Sequence, residues 1–391
     1  MTRRPSYDAK LLGGGIDDGE RASVSMEILR GAPADGATSS PGPRDDAARG
    51  EAARLPPFPK GWYAVGFSNE VRPGQVVTRK LAGKEIVLFR TERGAIAGVD
   101  PVCPHLGAHL GVGGTVEGET LRCPFHAFRF GVDGMCVATG YGTKAPKVSA
   151  KTWSVVERHG VILAWSGPSG AAPCFEIPEL DMTEFADQDV HTYRLRGHPQ
   201  DTTENSVDTG HLSVVHGYQS VETLREVDVN GAYLYARYAF HRPAGLLGGA
   251  FGGVRAEFDV HVHGLGYSFV EVTTPATGLV FRNFVFATPV GDMELELRLS
   301  SALRYLRDTR DLHPALAMVS RVAAPRRALE RAIRNRAFAA YRNDVEQDFM
   351  IWKHKEYVPR PALAAGDGPV MRYRRWAEQF YEPTPAPRDA D

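Results

Sequence analysis

From about residue 57 the chain reads as short β-branched and aromatic runs, each stopped by Gly, Pro or Asn. "GWYAVGFSNEV", "QVVTRKLAGKEIVLFRTERGAIAGV" and "TWSVVERHGVILAW" are such runs. Their spacing predicts a small all-β domain over 57–167. Beyond 168 a polar, helical-looking stretch, "DTTENSVDTGHL", leads into "HLSVVHGY". Strand texture then returns in "AYLYARYAF", "RAEFDVHVHG", "YSFVEVTT", "GLVFRNFVFATPV" and "MELELRLSSAL". A helical tail is expected over 314–354, broken at Pro325, with Leu329, Ile333, Ala337 and Tyr341 forming one stripe afterwards. The predicted class is α+β: an N-terminal all-β domain, then a domain over 168–382 built on a large antiparallel sheet.

Outside these domains the texture changes. Residues 1–56 are rich in Gly, Ala, Ser, Pro and scattered charge, with too little apolar surface to offset the entropy of ordering, so a disordered tail is expected there and over 383–391. With 46 basic and 47 acidic residues the formal charge is −1, which gives no field for nucleic acid. No run of about 18 apolar residues offers a spanning helix. The N-terminus lacks the apolar stretch of a secretory signal. The expected location is the cytoplasm, with at most a peripheral membrane contact.

Two of the four cysteines sit beside histidines in "CPHLGAHLGVGGTVEGETLRCPFHAF". Cys103 and His105 are separated by one residue, Cys123 and His126 by two, and the 17 residues between the pairs contain five glycines. Zinc sites usually pair like ligands, C-x2–4-C with H-x3–5-H, whereas each loop here offers one thiol and one imidazole. A two-iron cluster with two cysteines on one iron and two histidines on the other fits better, and the pattern C-x-H-x17-C-x2-H closely resembles the Rieske [2Fe–2S] motif. Glycine suits loops whose backbone N–H groups approach cluster sulfurs. Cys136 and Cys174, with no histidine at ligand spacing, read as packed thiols.

A Rieske centre only carries electrons, so a destination is owed. "ENSVDTGHLSVVH" offers Glu204, Asn205, Asp208, His211 and His216. On a continuous helix Glu204, Asp208 and His211 would share a face, while His216 would lie about 140° round from His211. The two histidines can share a metal only if the helix ends or distorts between them. Non-haem Fe(II) oxygenases use two histidines and one carboxylate. Asp344, Glu346 and Asp348 in "NDVEQDFMIWKHK" are the candidates for the third ligand, and helical phase does not choose between Asp344 and Asp348.

With these residues in view, the chain resembles the terminal oxygenase subunits of Rieske non-haem iron oxygenases over about 57–382. "QDFMIWKHK" and "GDGPVMRYRRWAEQFY" are similar to the steroid-acting members, the 3-ketosteroid 9α-hydroxylases and cholesterol 7-desaturases, and "CPHLGAHLGVGG" leans toward the desaturases. The resemblance implies a helix-grip-like catalytic domain, a mononuclear Fe(II) held by His211, His216 and Asp348, and a Rieske cluster held by Cys103, His105, Cys123 and His126. It also implies that Asp208 bridges His211 to His126 of a neighbouring subunit in a head-to-tail homotrimer, with Asn205 in a supporting place beside the iron. Electrons from NAD(P)H would arrive through a separate reductase or ferredoxin, since no Gly-rich nucleotide fingerprint is present.

The expected reaction is O2-dependent hydroxylation or desaturation of a bulky hydrophobic substrate, a steroid or sterol. The alternatives are an aromatic-ring hydroxylating or O-demethylating Rieske oxygenase and, in another class, a Rieske electron carrier without oxygenase activity. "PAGLLGGAFGGV" (243–254) has no counterpart in the resemblance and reads either as a lid over an apolar pocket or as a hairpin tip. Seven arginines between Arg321 and Arg342, with Glu330 the only acid among them, read either as a solvated helix face or as a docking patch for an acidic redox partner.

Overall fold

Strand Gly61–Phe67 pairs antiparallel with Val161–Ser166, so the two ends of the first domain close on each other. Val155–Arg158 completes that three-stranded sheet. A four-stranded sheet of Val76–Leu81, Lys84–Arg90, Ile96–Val99 and Thr152–Trp153 lies beside it in the chain. A second four-stranded sheet, Thr115–Glu117, Thr120–Arg122, Arg129–Phe130 and Cys136–Ala138, carries the loops of the Cys/His motif. The computed structural model describes residues 54–168, 171–242, 254–305 and 323–382. The expected tails over 1–53 and 383–391, and 243–253 of the glycine-rich stretch, lie outside the described residues.

The second domain is built on a seven-stranded antiparallel sheet in the order Asp189–Arg196, Glu294–Leu303, Leu279–Gly291, Tyr267–Thr274, Val254–His263, Tyr233–Arg242, Gln219–Asn230. The five inner strands are the apolar runs of the sequence. The two edge strands are absent from the expectation for a physical reason: an edge strand half-faces water, so its pattern is polar. Gln219–Asn230 buries only Val227.

The inner strands read as nearly continuous apolar runs because both faces of the sheet are covered. On Tyr267–Thr274 and Leu279–Gly291 one face presents Tyr267, Phe269, Phe284 and Phe286 to Trp62, Ala64, Leu163 and Trp165 of the first domain. The alternate face, with Val270, Val272, Asn283 and Val285, lines a cavity. Thr288 Oγ1 and Arg298 Nη1 both donate to the carbonyl of Ala64, at 2.7 and 2.8 Å, which stitches the sheet to the first domain.

Four helices complete the described domain: α1 (Pro199–Glu204), α2 (Thr209–Val214), α3 (Ala323–His354) and α4 (Val370–Ala377). Pro325 lies in the first described turn of α3, and from there the helix runs on to His354 without interruption, while the stretch before it that would show the expected break lies outside the described residues. The expected part over 314–322 lies outside the described residues. Phe338, Tyr341, Val345, Phe349 and Trp352 of α3 pack on Leu195, Leu295 and Leu297. This lays the helix along the sheet and turns its Ala337, Tyr341, Asp344 and Asp348 edge toward the cavity.

Candidate metal centres and the cavity between helices

Each half of the Cys/His motif is a tight loop between short strands. Cys103 N–H donates to Ala108 O at 2.9 Å, and Cys123 N–H to Phe128 O at 2.8 Å. Close chain approach leaves no room for side chains at Gly114, where a Cβ would stand 1.9 Å from Leu110 O. The thiols of Cys103 and Cys123 are buried while the rings of His105 and His126 are half-buried, their centroids 4.9 Å apart. Burial, with the neighbouring Cys123 adding, pushes the Cys103 thiol above its usual range. His126 Nδ1 is buried and has no hydrogen-bond partner among the described residues. Two adjacent buried thiols and an orphaned ring nitrogen are the donor set that a cluster ligated through sulfur and imidazole requires.

The second group of candidates begins with α1 and α2, which are separate short helices. Glu204, Asp208 and His211 therefore do not share one helical face. Glu204 instead turns to Arg374, with contacts of 2.7 and 3.1 Å, and to Lys355 at 3.0 Å. Asp208 caps α2, its carboxylate accepting from His211 N–H at 3.2 Å. The helix ends at Val214, and Gly217 takes a φ of +68°, the left-handed turn that glycine adopts without strain. That ending swings His216 back toward His211, with ring centroids 5.1 Å apart.

Asp348 of α3 meets them. One ligand atom from each of His211, His216 and Asp348 lies within 4.8 Å of the others. His216 Nε2 and Asp348 Oδ2 stand 3.7 Å apart, too far for a hydrogen bond. The Nδ1 atoms are engaged elsewhere, His211 with the carbonyl of Asp208 and His216 with Gln347 Oε1 at 2.9 Å. Both rings are thus pinned with Nε2 free to face the carboxylate. Burial pushes the Asp348 carboxyl up to about 6, against the pull of His216 and a hydrogen bond from Asn205. Two imidazoles with free Nε2 atoms around a buried carboxylate fit a divalent metal.

Glu346 is taken by Tyr193 Oη and Arg342 Nη2, and the remaining candidate, Asp344, is also spent. Its Oδ2 accepts from Tyr218 Oη at 2.8 Å and from Arg242 Nη2 at 2.5 Å. Gln347 went unnoticed in the sequence, because its role exists only once α2 stops short and α3 crosses His216. Within the chain no contact joins Asp208 to His126 among the described residues. Part of the arginine patch is also engaged: Arg334 pairs with Asp189 at 2.8 Å, and Arg342 donates to Tyr193 Oη at 2.7 Å. The docking reading thereby loses Arg334.

The candidate triad opens onto a cavity of ≈ 270 Å³ between α3 and the sheet, its floor mainly Phe240, Phe258, Val270, Val272 and Val285. Residues 61–150 match the Rieske [2Fe-2S] domain, and 164–381 match the 3-ketosteroid 9α-hydroxylase C-terminal domain, more than half of the chain. The chain belongs to the Rieske oxygenases of the 3-ketosteroid 9α-hydroxylase family. Like other Rieske oxygenases, it is an enzyme with a [2Fe–2S] cluster in its first domain and a mononuclear iron in its second. Among the family relatives, the cholesterol 7-desaturase of Bombyx mori is 31% identical over 349 residues, covering 86% of this chain and 73% of that protein. The oxygenase component of the 3-ketosteroid-9-alpha-monooxygenase of Rhodococcus rhodochrous is 28% identical over 83% of this chain and 84% of that one. The Rieske oxygenase fold is also that of dicamba monooxygenase bound to dicamba, with TM-score 0.56 and 20% identity over 82% of this chain and 96% of that one. No helix among the described residues is long and apolar enough to cross a membrane.

Proposed function

We propose that this Rieske oxygenase is the terminal component of a multicomponent system and oxidises a steroid or sterol at an unactivated C–H bond. The convergence of His211, His216 and Asp348 at the end of an apolar cavity carries this reading. The relatives named for cholesterol and 3-ketosteroids supply the substrate class. Cys103, His105, Cys123 and His126 hold the cluster; His211, His216 and Asp348 hold the iron. Together these groups supply one-electron transfer and O2 activation.

The chain's own side chains do the rest. The Asp208 carbonyl and Gln347 fix the two imidazoles with Nε2 toward the metal, and Asn205 holds the Asp348 carboxylate by a hydrogen bond. The apolar floor seats a fused-ring hydrocarbon and excludes water from the reacting carbon. A separate NAD(P)H-dependent reductase or ferredoxin would supply the electrons. The Asp208 carboxylate, held on His211 N–H at 3.2 Å, would link the two centres by contacting His126 of the next chain in a homotrimer. Leu106, Phe125 and Tyr141, all more than half exposed, rim the cluster histidines and suit burial against that chain.

Hydroxylation consumes O2, two electrons and two protons, forming C–OH and water; desaturation removes two hydrogens and forms two waters. The test is turnover of the reduced enzyme, with a generic reductase, on a panel of sterols, ketosteroids and aromatic acids. Mass spectrometry should find a steroid that has gained one oxygen or lost two hydrogens. Turnover of aromatic acids alone would overturn the substrate class.

A further inference from the structure

His211 and His216 are each held by a hydrogen bond at Nδ1. His126 is not. Its Nδ1 is buried without a partner, and no hydrogen bond reaches its ring among the described residues. Packing must therefore set the orientation of that ring. His105 rests on Phe128, a buried ring stacked on it at 4.1 Å and 9°. The neighbours of His126 are less firmly seated. They include Phe125, at 3.7 Å between ring centroids, and Tyr141, at 6.0 Å, and both are more than half exposed.

The backbone supplies support that these exposed rings lack. Five non-glycine residues take a positive φ among the described residues. Ala82, His159 and Met293 do so in two-residue hairpin turns, where such angles belong, and Ser220 at an irregular stretch of an edge strand. Ala127, at +53°, sits inside the longer loop Cys123–Phe128, directly after His126. A glycine would take this angle freely, whereas a residue with a Cβ takes it against strain. The strained methyl meets Gly140, where a Cβ would stand 2.8 Å from it and 2.5 Å from His126 O. Gly140 N–H also donates to that carbonyl, at 3.1 Å. The Ala127 methyl and the His126 carbonyl thus bear on one residue, and the next in the chain is Tyr141.

We propose that Ala127 is a positioning residue for the cluster: its methyl seats Gly140, and through it Tyr141, so that the Tyr141 ring fixes the ring of His126. The inference rests on the ligand assignment above and adds a residue outside it. Its consequence lies in electron exit, because His126 is the ring that would meet Asp208 of the next chain.

The test is pulsed EPR of the reduced holoprotein, which reads the nitrogen couplings of the two cluster histidines. Ala127→Gly removes the methyl and the strain together. One coupling should shift, that of His126, while the other, from His105 on Phe128, stays in place. The melting temperature should not fall, and single-turnover product formation should slow by about tenfold. Ala127→Ser, which keeps the Cβ, should match the wild type. Tyr141→Leu should shift the same coupling, and the double variant should shift it no further. If Ala127→Gly does not retain its cluster, Tyr141→Leu must show the shift in its place. Couplings that stay at wild-type values in Ala127→Gly, or a shift of equal size in Ala127→Ser, overturn the inference. A wild type with both couplings but no turnover contradicts the steroid reading alone, and the couplings then decide. A wild type with no histidine coupling overturns the ligand assignment, and this inference with it.

Discussion

His216 shows how much of a site depends on one neighbour. Its ring is held by Gln347 at 2.9 Å, and Gln347→Leu removes the only acceptor its Nδ1 has among the described residues. Loss of such a partner typically weakens metal binding by about 10- to 100-fold. We expect iron per chain to fall from three toward two on dialysis against a chelator, with the visible spectrum of the cluster unchanged. Asp348→Asn should lose the same iron, whereas Asp344→Asn should keep it, because Asp344 already serves Tyr218 and Arg242. Motif spacing brings the two cysteines and the histidines into view from the sequence alone. It could not choose between Asp344 and Asp348, one turn apart on the same face, since the choice depends on where Arg242 reaches. Gln347 carries no sequence signal, because its contact arises only where α3 crosses the end of α2.

Elements whose apolar pattern survives folding were legible, and elements whose environment alters it were not. The five inner strands show because both faces of the sheet are buried. The edge strands Asp189–Arg196 and Gln219–Asn230 do not, because an edge strand half-faces water. The loops make their own prediction. Gly114→Ala should abolish the cluster spectrum, since its Cβ would meet Leu110 O at 1.9 Å. At the junction between domains, His159 Nε2 accepts from Leu180 N–H at 2.7 Å and Nδ1 faces Tyr267 Oη at 2.9 Å. Burial first, then Arg158 and Arg282, lowers its pKa from 6.5 to about 4. The unfolded chain binds a proton that the folded chain refuses. The stability from this group is therefore full above pH 6.5 and lost as pH falls from 6.5 toward 4. The melting temperature should drop across that window, and His159→Gln should make the drop shallower.

At the scale of the molecule, the two domains share one compact unit, Ala52–Asp391, joined through the outer face of the large sheet. Phe284 stands in that joint with no exposed surface, and Phe284→Ala should cost about 3–5 kcal/mol of stability, read by denaturant unfolding. The order of domains could be read along the chain, but which sheet face meets the first domain and which lines the cavity became visible only in the folded register. The proposed path between subunits predicts three chains per particle by light scattering. It also predicts that Asp208→Asn keeps three irons per chain and a reducible cluster while slowing product formation by about tenfold or more.

On the proposed function, a steroid is oxidised at the end of the cavity formed by His211, His216 and Asp348. A single turnover of pre-reduced enzyme with a 3-ketosteroid under 18O2 tests it most directly. The wild-type chain should yield a steroid carrying one 18O atom or lacking two hydrogens, and Asp348→Asn, with its cluster intact and reduced, should yield none. Unchanged steroid from the wild type, or equal product from Asp348→Asn, would contradict the claim.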